Sequence, residues 1–322
     1  MGVIARWRDR LPVTDATPDL TLGEGGTPLI RSERLSERFG VELWFKFEGA
    51  NPTGSFKDRG MCFAVAKAVE DGAQGIVCAS TGNTAASAAA YAARAGVPAV
   101  VITPVGAIAP AKQAQARAVG ARVLEVRGTF DEALRACQQL TDFAIVNSLN
   151  PNRIEGQKTA VFEIAEQLGR APDVLALPYG GGGNTCAYAK GFAEDGVQPR
   201  IVCGEASERA HTIASAIRIS EPAHVHEVDA IVAEGRAEIV SLRDEEITDA
   251  WLEIASREGI FCEPSSAAGF AALARVRLEP GSTVVCVLTG HGLKDTAAVD
   301  VLTPPATLVD PTPEAILAEV RP

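Results

Sequence analysis

Lys57 stands in the run Asn51-Pro-Thr-Gly-Ser-Phe-Lys-Asp-Arg-Gly60, between a Pro/Gly turn and an apolar helical segment beginning at Met61. A lysine at such a junction can be tethered, desolvated and aimed, which is what Schiff-base chemistry with a carbonyl requires. Taken alone, the run is better explained by an ordinary first-turn lysine on a solvated helix. Two distant loops reverse that. Ala79-Ser-Thr-Gly-Asn-Thr84 puts Ser80, Thr81 and Thr84 at the mouth of a helix, where free N–H donors and the dipole favour a carboxylate. Asn83 adds an amide able to bond a phenolic oxygen. A plain Ser/Thr helix cap explains this loop equally well in isolation.

Tyr179-Gly-Gly-Gly-Gly-Asn-Thr185 is more demanding. Gly180, Gly181, Gly182 and Gly183 let backbone N–H groups close around an anion with no Cβ in the way, and Asn184 and Thr185 open the next helix. A purely structural loop has little reason to bear the conformational entropy of consecutive glycines. The loop lacks the lysine of a nucleotide-binding P-loop and does not meet G-x-G-x-x-G spacing, which disfavours dinucleotides and nucleoside triphosphates. In Val287-Leu-Thr-Gly-His-Gly-Leu-Lys-Asp295, Thr289 aims a hydroxyl at the same cleft, and His291, between glycines, reads as a turn residue before it reads as a base. A tethered lysine, a phosphate cup, an amide for a phenolate and a hydroxyl for a ring nitrogen match pyridoxal phosphate group by group.

These loops need a frame that brings them together. From about residue 75 the pattern alternates strand and helix at βαβ spacing. Strands are expected at 75–79, 97–103, 122–126, 144–147, 174–177, 201–203 and 283–288, and helices at 84–95, 112–119, 130–140, 159–168, 185–193, 244–257 and 266–277, with a polar stretch at 148–156. The expected fold is α/β: two doubly wound open-sheet lobes with the cofactor in the cleft between them, beyond the carboxyl ends of the strands. Residues 51–144 would form the smaller lobe, with the lysine and the Ser80–Thr84 loop, and 1–50 plus 145–322 the larger lobe, with the phosphate cup.

The chain has 322 residues, 47% of them hydrophobic, enough for a full core, and a net charge of −11. No basic run, aromatic-interleaved Lys/Arg stripe or zinc spacing points to nucleic acid or a metal. The 7 cysteines include no C-x-x-C pair and sit mostly in apolar patterns, as expected of reduced thiols. Charge occupies the N-terminal stretch where a signal peptide needs an apolar core, and no apolar run reaches membrane-spanning length. A cytoplasmic enzyme acting on a small molecule is expected.

The chain resembles the threonine synthase family of the fold type II pyridoxal-phosphate superfamily over nearly its whole length. The resemblance rests on Gly23-Glu-Gly-Gly-Thr-Pro-Leu29, Glu48 to Met61, Ala79 to Ala95, Val146 to Thr159, Thr212 to Ile219, Glu263-Pro-Ser-Ser-Ala-Ala268 and Thr289 to Asp295. Asp58 after the lysine resembles threonine synthases more than dehydratases. The resemblance implies a carbon–oxygen lyase acting on phosphates, which converts O-phospho-L-homoserine and water to L-threonine and phosphate. It also implies a homodimer. Lys57 would be the covalent anchor and proton carrier, Phe56 would pack behind the pyridine ring, and Asn83 would bond the phenolic oxygen. Gly180 to Thr185 would hold the cofactor phosphate, and Thr289 would face the ring nitrogen. Ser80, Thr81, Thr84, Lys112, Asn147, Ser148 and Arg153 would bind substrate, the last four with its phosphate. Glu263 to Ser266 would line the cleft without an assigned proton-transfer role.

Two features depart from the family pattern. Gly181 and Gly182 replace an asparagine and an alanine and Tyr179 a valine, so the cup resembles that of serine/threonine dehydratases; the stretch from Cys203 to His211 is also shorter. A dehydratase, or a replacement synthase acting on another activated amino acid, is therefore the alternative. Lys112, Ser148 and Arg153 argue against a plain dehydratase, whose substrates carry no phosphate.

Overall fold

A computed structural model describes residues 1–80, 82–105 and 110–320. Its strands are β1 (Leu29–Ser32), β2 (Glu42–Phe47), β3 (Gly75–Ala79), β4 (Ala99–Pro104), β5 (Arg122–Val126), β6 (Phe143–Ile145), β7 (Val174–Pro178), β8 (Arg200–Ala206), β9 (Ala237–Leu242) and β10 (Thr283–Leu288). A six-stranded sheet runs β1-β2-β10-β7-β8-β9 and a four-stranded sheet β5-β4-β3-β6. Every pairing is parallel except β1 on β2, where Leu29 faces Lys46. The central strands β3, β7 and β10 are buried at every residue, as parallel strands covered on both faces must be. These open parallel sheets are the doubly wound α/β fold expected from the pattern.

Three expectations need correction. The Lys57 helix spans Lys57–Glu70 and begins at the lysine itself, four positions before Met61. The polar stretch at 148–156 is largely the start of an 18-residue helix, Pro151–Leu168. Asn150 caps it by accepting a hydrogen bond from Asn152 N at 3.0 Å, and Pro151 takes the first-turn position where no donor is needed. Residues 266–277 do not make one helix. They break into a short helix, Ala268–Ala272, between 3₁₀ turns at Pro264–Ala267 and Leu273–Arg275.

The Lys57 and Pro151 helices cross in backbone contact. A Cβ at Gly156 would lie 2.1 Å from the Arg59 carbonyl oxygen, and one at Gly60 2.6 Å from that of Arg153. Met61, Phe63 and Val65 of the first helix and Val161, Phe162 and Ile164 of the second join one core that reaches Ile76 and Cys78 of the small sheet and Leu175 and Val285 of the large one. Arg59 secures the crossing from within. Its guanidinium donates to Glu48 at 2.7 and 2.8 Å and to Glu163 at 2.9 and 2.6 Å, and Lys46 donates to Glu163 at 3.1 Å. These charges are almost fully buried, and each finds an opposite partner, as burial of charge demands. Among the described residues, no helix is long and apolar enough to cross a membrane. All seven cysteines are free.

Candidate active site

Five strand ends deliver the site. The Lys57 helix follows β2, the helix Asn83–Ala95 follows β3, the Pro151 helix follows β6, the helix Gly183–Glu194 follows β7, and Thr289 follows β10. The loop before Lys57 is stitched to the end of β10: Phe56 N donates to the Thr289 carbonyl at 3.0 Å, and Ser55 bridges Gly290. Lys57 Nζ lies 4.4 Å from the centroid of the Phe56 ring. Burial, helped by the nearby Arg153 charge and opposed by Glu263, pulls the Lys57 ammonium down to about 7. Such an amine loses its proton near neutrality and becomes a nucleophile for a carbonyl. Asp58 clamps this junction. It accepts from Thr53 N at 2.7 Å, Thr53 Oγ1 at 2.6 Å and Ser87 Oγ at 2.6 Å, tying the turn before Lys57 to the Asn83 helix. Burial pushes its carboxyl up to about 6, against those hydrogen bonds.

The glycine loop forms a backbone-lined cup at the mouth of its helix. Gly182 caps that helix at φ +83°, a conformation L side chains rarely adopt. His224 N donates to the Gly181 carbonyl at 3.1 Å, and His224 Nε2 lies 2.9 Å from the Ser148 carbonyl, linking the cup to the loop after β6. Thr185 is buried, with Oγ1 3.5 Å from Cys203 Sγ. Both amide atoms of Asn184 and the Oδ1 of Asn83 are buried without hydrogen-bond partners. Polar atoms so placed fit a ligand that brings its own donors and acceptors. With an amine poised near neutrality and an anion cup at a helix N-terminus, the residues fit pyridoxal phosphate.

The residues expected at the substrate divide. Arg153 is 1% exposed; its Nη1 donates to the Val146 carbonyl at 3.3 Å, and its Nε has no partner. Among the described residues no carboxylate pairs with it, and burial draws its guanidinium down to about 10, still charged at neutral pH. Lys112 forms an ion pair with Glu263 at 2.7 Å and lies 3.4 Å from Ser215 Oγ. Asn147 does something other than present its amide to a ligand. Its Nδ2 donates to the Ala79 carbonyl at 2.7 Å and its Oδ1 accepts from Ala79 N at 3.0 Å, so it holds the end of β3 in place. Ser80 N donates to the Ile102 carbonyl at 3.1 Å, and its hydroxyl accepts from Gly82 N at 3.3 Å. Thr84 is buried in the first turn of its helix, Ser148 is half-buried, and Thr81 lies outside the described residues.

The turn from Glu263 to Ser266, expected only to line the cleft, makes contacts that residue types do not reveal. Glu263 accepts from Asn83 Nδ2 at 2.7 Å as well as pairing with Lys112, and Ser266 Oγ lies 3.1 Å from Thr289 Oγ1. The one local sign of this group is an acid directly before a Pro-Ser-Ser turn. His291 serves the turn: its Nδ1 accepts from Leu293 N at 3.2 Å, and its ring packs near Phe47 and Phe261.

Two open α/β sheets, a half-buried amine near neutrality and a glycine cup define an enzyme that holds an aldehyde-bearing phosphorylated cofactor. The chain belongs to the family of pyridoxal-phosphate dependent enzymes, whose family model matches residues 20–290. It is 50% identical over 318 residues to the threonine synthase of Halalkalibacterium halodurans, covering 91% of this chain and 90% of that one. It is 43% identical to the threonine synthase of Methanocaldococcus jannaschii, covering 90% and 80%. Among solved structures, maize serine racemase superposes with a TM-score of 0.75 at 21% identity, covering 93% of this chain and 94% of that one. The cysteine synthase of Entamoeba histolytica gives 0.77 at 20%, covering 92% and 96%. These two likenesses concern the fold.

Proposed function

We propose that the chain is a threonine synthase, which eliminates phosphate from O-phospho-L-homoserine and adds water at the β carbon to give L-threonine. The carrying observation is Arg153: a guanidinium buried to 1% exposure, with no carboxylate on it among the described residues, beside the lysine. A buried cation left unpaired by its own protein is stabilised by an anionic ligand, and a planar guanidinium suits a phosphate dianion. The threonine synthase relatives, at 43–50% identity over most of the chain, support the same reading.

In this reading Lys57 anchors the cofactor and carries protons at the substrate's α and β carbons. Gly180 to Thr185 hold the cofactor phosphate, Phe56 lies behind the ring, and Asn83 and Thr289 meet its phenolic oxygen and nitrogen. Pyridoxal phosphate supplies the electron sink that stabilises negative charge at the substrate carbons. Ser80, Thr81 and Thr84 receive the substrate carboxylate. Arg153, Lys112 and the Ser148 region hold its phosphate, while Asn147 keeps the Ser80 loop in place. The four-stranded sheet supports a smaller lobe over 51–144, and the six-stranded sheet a larger one over 1–50 plus 145–322. A cytoplasmic homodimer completes the proposal, on the strength of the family resemblance and the free cysteines.

Purified protein mixed separately with O-phosphohomoserine and with threonine, and assayed for phosphate, threonine and 2-oxobutyrate, tests the function. Phosphate and threonine from the first mixture are expected. Indifference to O-phosphohomoserine with efficient 2-oxobutyrate formation from threonine would instead establish the dehydratase reading that the four glycines allow. Thr289→Asp probes the ring contact. A carboxylate there stabilises a protonated ring nitrogen, so the cofactor should stay bound with altered visible absorbance and more side product. A wild-type spectrum and product ratio would place Thr289 away from the nitrogen.

A further inference from the structure

Glu263 is the least explained buried charge in the cleft. It is 1% exposed and meets two expected ligand-binding side chains at once: Lys112 Nζ at 2.7 Å from Oε1 and Asn83 Nδ2 at 2.7 Å from Oε2. Lys112 is 3% and Asn83 7% exposed, so the three groups form a dry triad with little water to compensate any of them. The backbone is shaped around this carboxylate. Glu263 N donates to the Gly290 carbonyl at 2.9 Å, and a Cβ at Gly290 would fall 1.9 Å from Glu263 Oε2. The turn after β10 thus has a glycine where the carboxylate needs the space. Glu263 also sits close enough to Lys57 to oppose the lowering of its pKa.

We infer that Glu263 is a positioning residue that acts as an internal stand-in for the substrate's anion, holding Lys112 and Asn83 from one carboxylate until a phosphate group competes for Lys112. The inference rests on the phosphorylated-substrate reading above. The physical consequence is discrimination. A singly charged group offers Lys112 little beyond what Glu263 already supplies, whereas a dianion offers more and draws the ammonium across. Because Asn83 shares the same carboxylate, engagement of Lys112 by the substrate is transmitted to the side chain assigned to the cofactor's phenolic oxygen. Arg153, with no carboxylate partner among the described residues, provides the fixed part of the anion site, and Lys112 the exchangeable part.

The test uses the holoenzyme and inorganic phosphate, read by competitive inhibition and by direct titration. Glu263→Gln leaves Lys112 without its anion and should bind phosphate about tenfold tighter than wild type. The visible absorbance of the bound cofactor should shift as the acceptor of the Asn83 amide loses its negative charge. Gly290→Ala, which pushes the carboxylate aside without removing it, should give the same gain by another route and covers the case in which Glu263→Gln does not fold. Adding Lys112→Ala to Glu263→Gln should abolish the gain. A merely structural Glu263 would produce no gain in phosphate affinity. Unchanged or weaker phosphate binding in both variants, with wild type binding phosphate, overturns this inference alone. Absence of phosphate binding from wild type and variants alike overturns the phosphorylated-substrate reading and the inference with it.

Discussion

Lys57→Ala abolishes turnover and the visible absorbance of bound cofactor while the fold survives. Lys57 opens its helix and is only half-buried, and neither its Nζ nor its stem holds the core together: the crossing with the Pro151 helix is made by Gly60, Gly156 and the Arg59 network. Alanine is a good helix former at that place, so thermal unfolding should stay close to wild type. What is lost is the one amine drawn down to about 7 by burial and by Arg153, and with it both the covalent anchor and the proton carrier. Loss of a covalent catalytic group is expected to cost at least about 10³-fold in kcat. Absorbance spectra, circular dichroism and turnover, measured without added amines that could substitute in solution, check the three parts separately. Full activity in this variant would remove the central assignment.

Arg153→Ala produces the second large effect. KM for O-phosphohomoserine should rise steeply, and cofactor binding should hold. Removing one partner of a buried charge-assisted phosphate contact costs about 2–5 kcal/mol, or roughly 30-fold to several thousandfold in kcat/KM. A second signature follows from the charge. Arg153 contributes to the low Lys57 pKa, so without it the lysine holds its proton to higher pH. The acid limb of cofactor capture by apoprotein, which in wild type rises with pH through about 7, should move to higher pH in the variant. Steady-state kinetics with phosphorylated substrate, activity toward bare serine or threonine, and the pH dependence of reconstitution separate the two effects. A KM unchanged for O-phosphohomoserine would take the substrate phosphate away from Arg153.

The amino-acid sequence by itself determined the cofactor and the frame that holds it. Short continuous apolar runs bounded by glycine and proline set β3, β7 and β10, and the loops that meet the cleft carried residue types that, taken together, match pyridoxal phosphate. Such signals are local, because an anion cup or a helix mouth is built from neighbouring residues. The polar run at 148–156 misled for the same reason. Its composition suggests a loop, while its Asn150-Pro151 pair starts the helix that buries Arg153. Strands β1, β2 and β9 left no alternation strong enough to read, since β2 must place Lys46 in a buried charge network and β9 is a half-buried edge. Tertiary structure alone decided the rest: that Asn147 serves the backbone of Ala79, that Asp58 clamps Ser87, and that Glu263 reaches Lys112 and Asn83. Those contacts join residues that are distant along the chain or belong to different loops. Their partners are chosen by how two sheets and two crossing helices pack, which no residue type or spacing records.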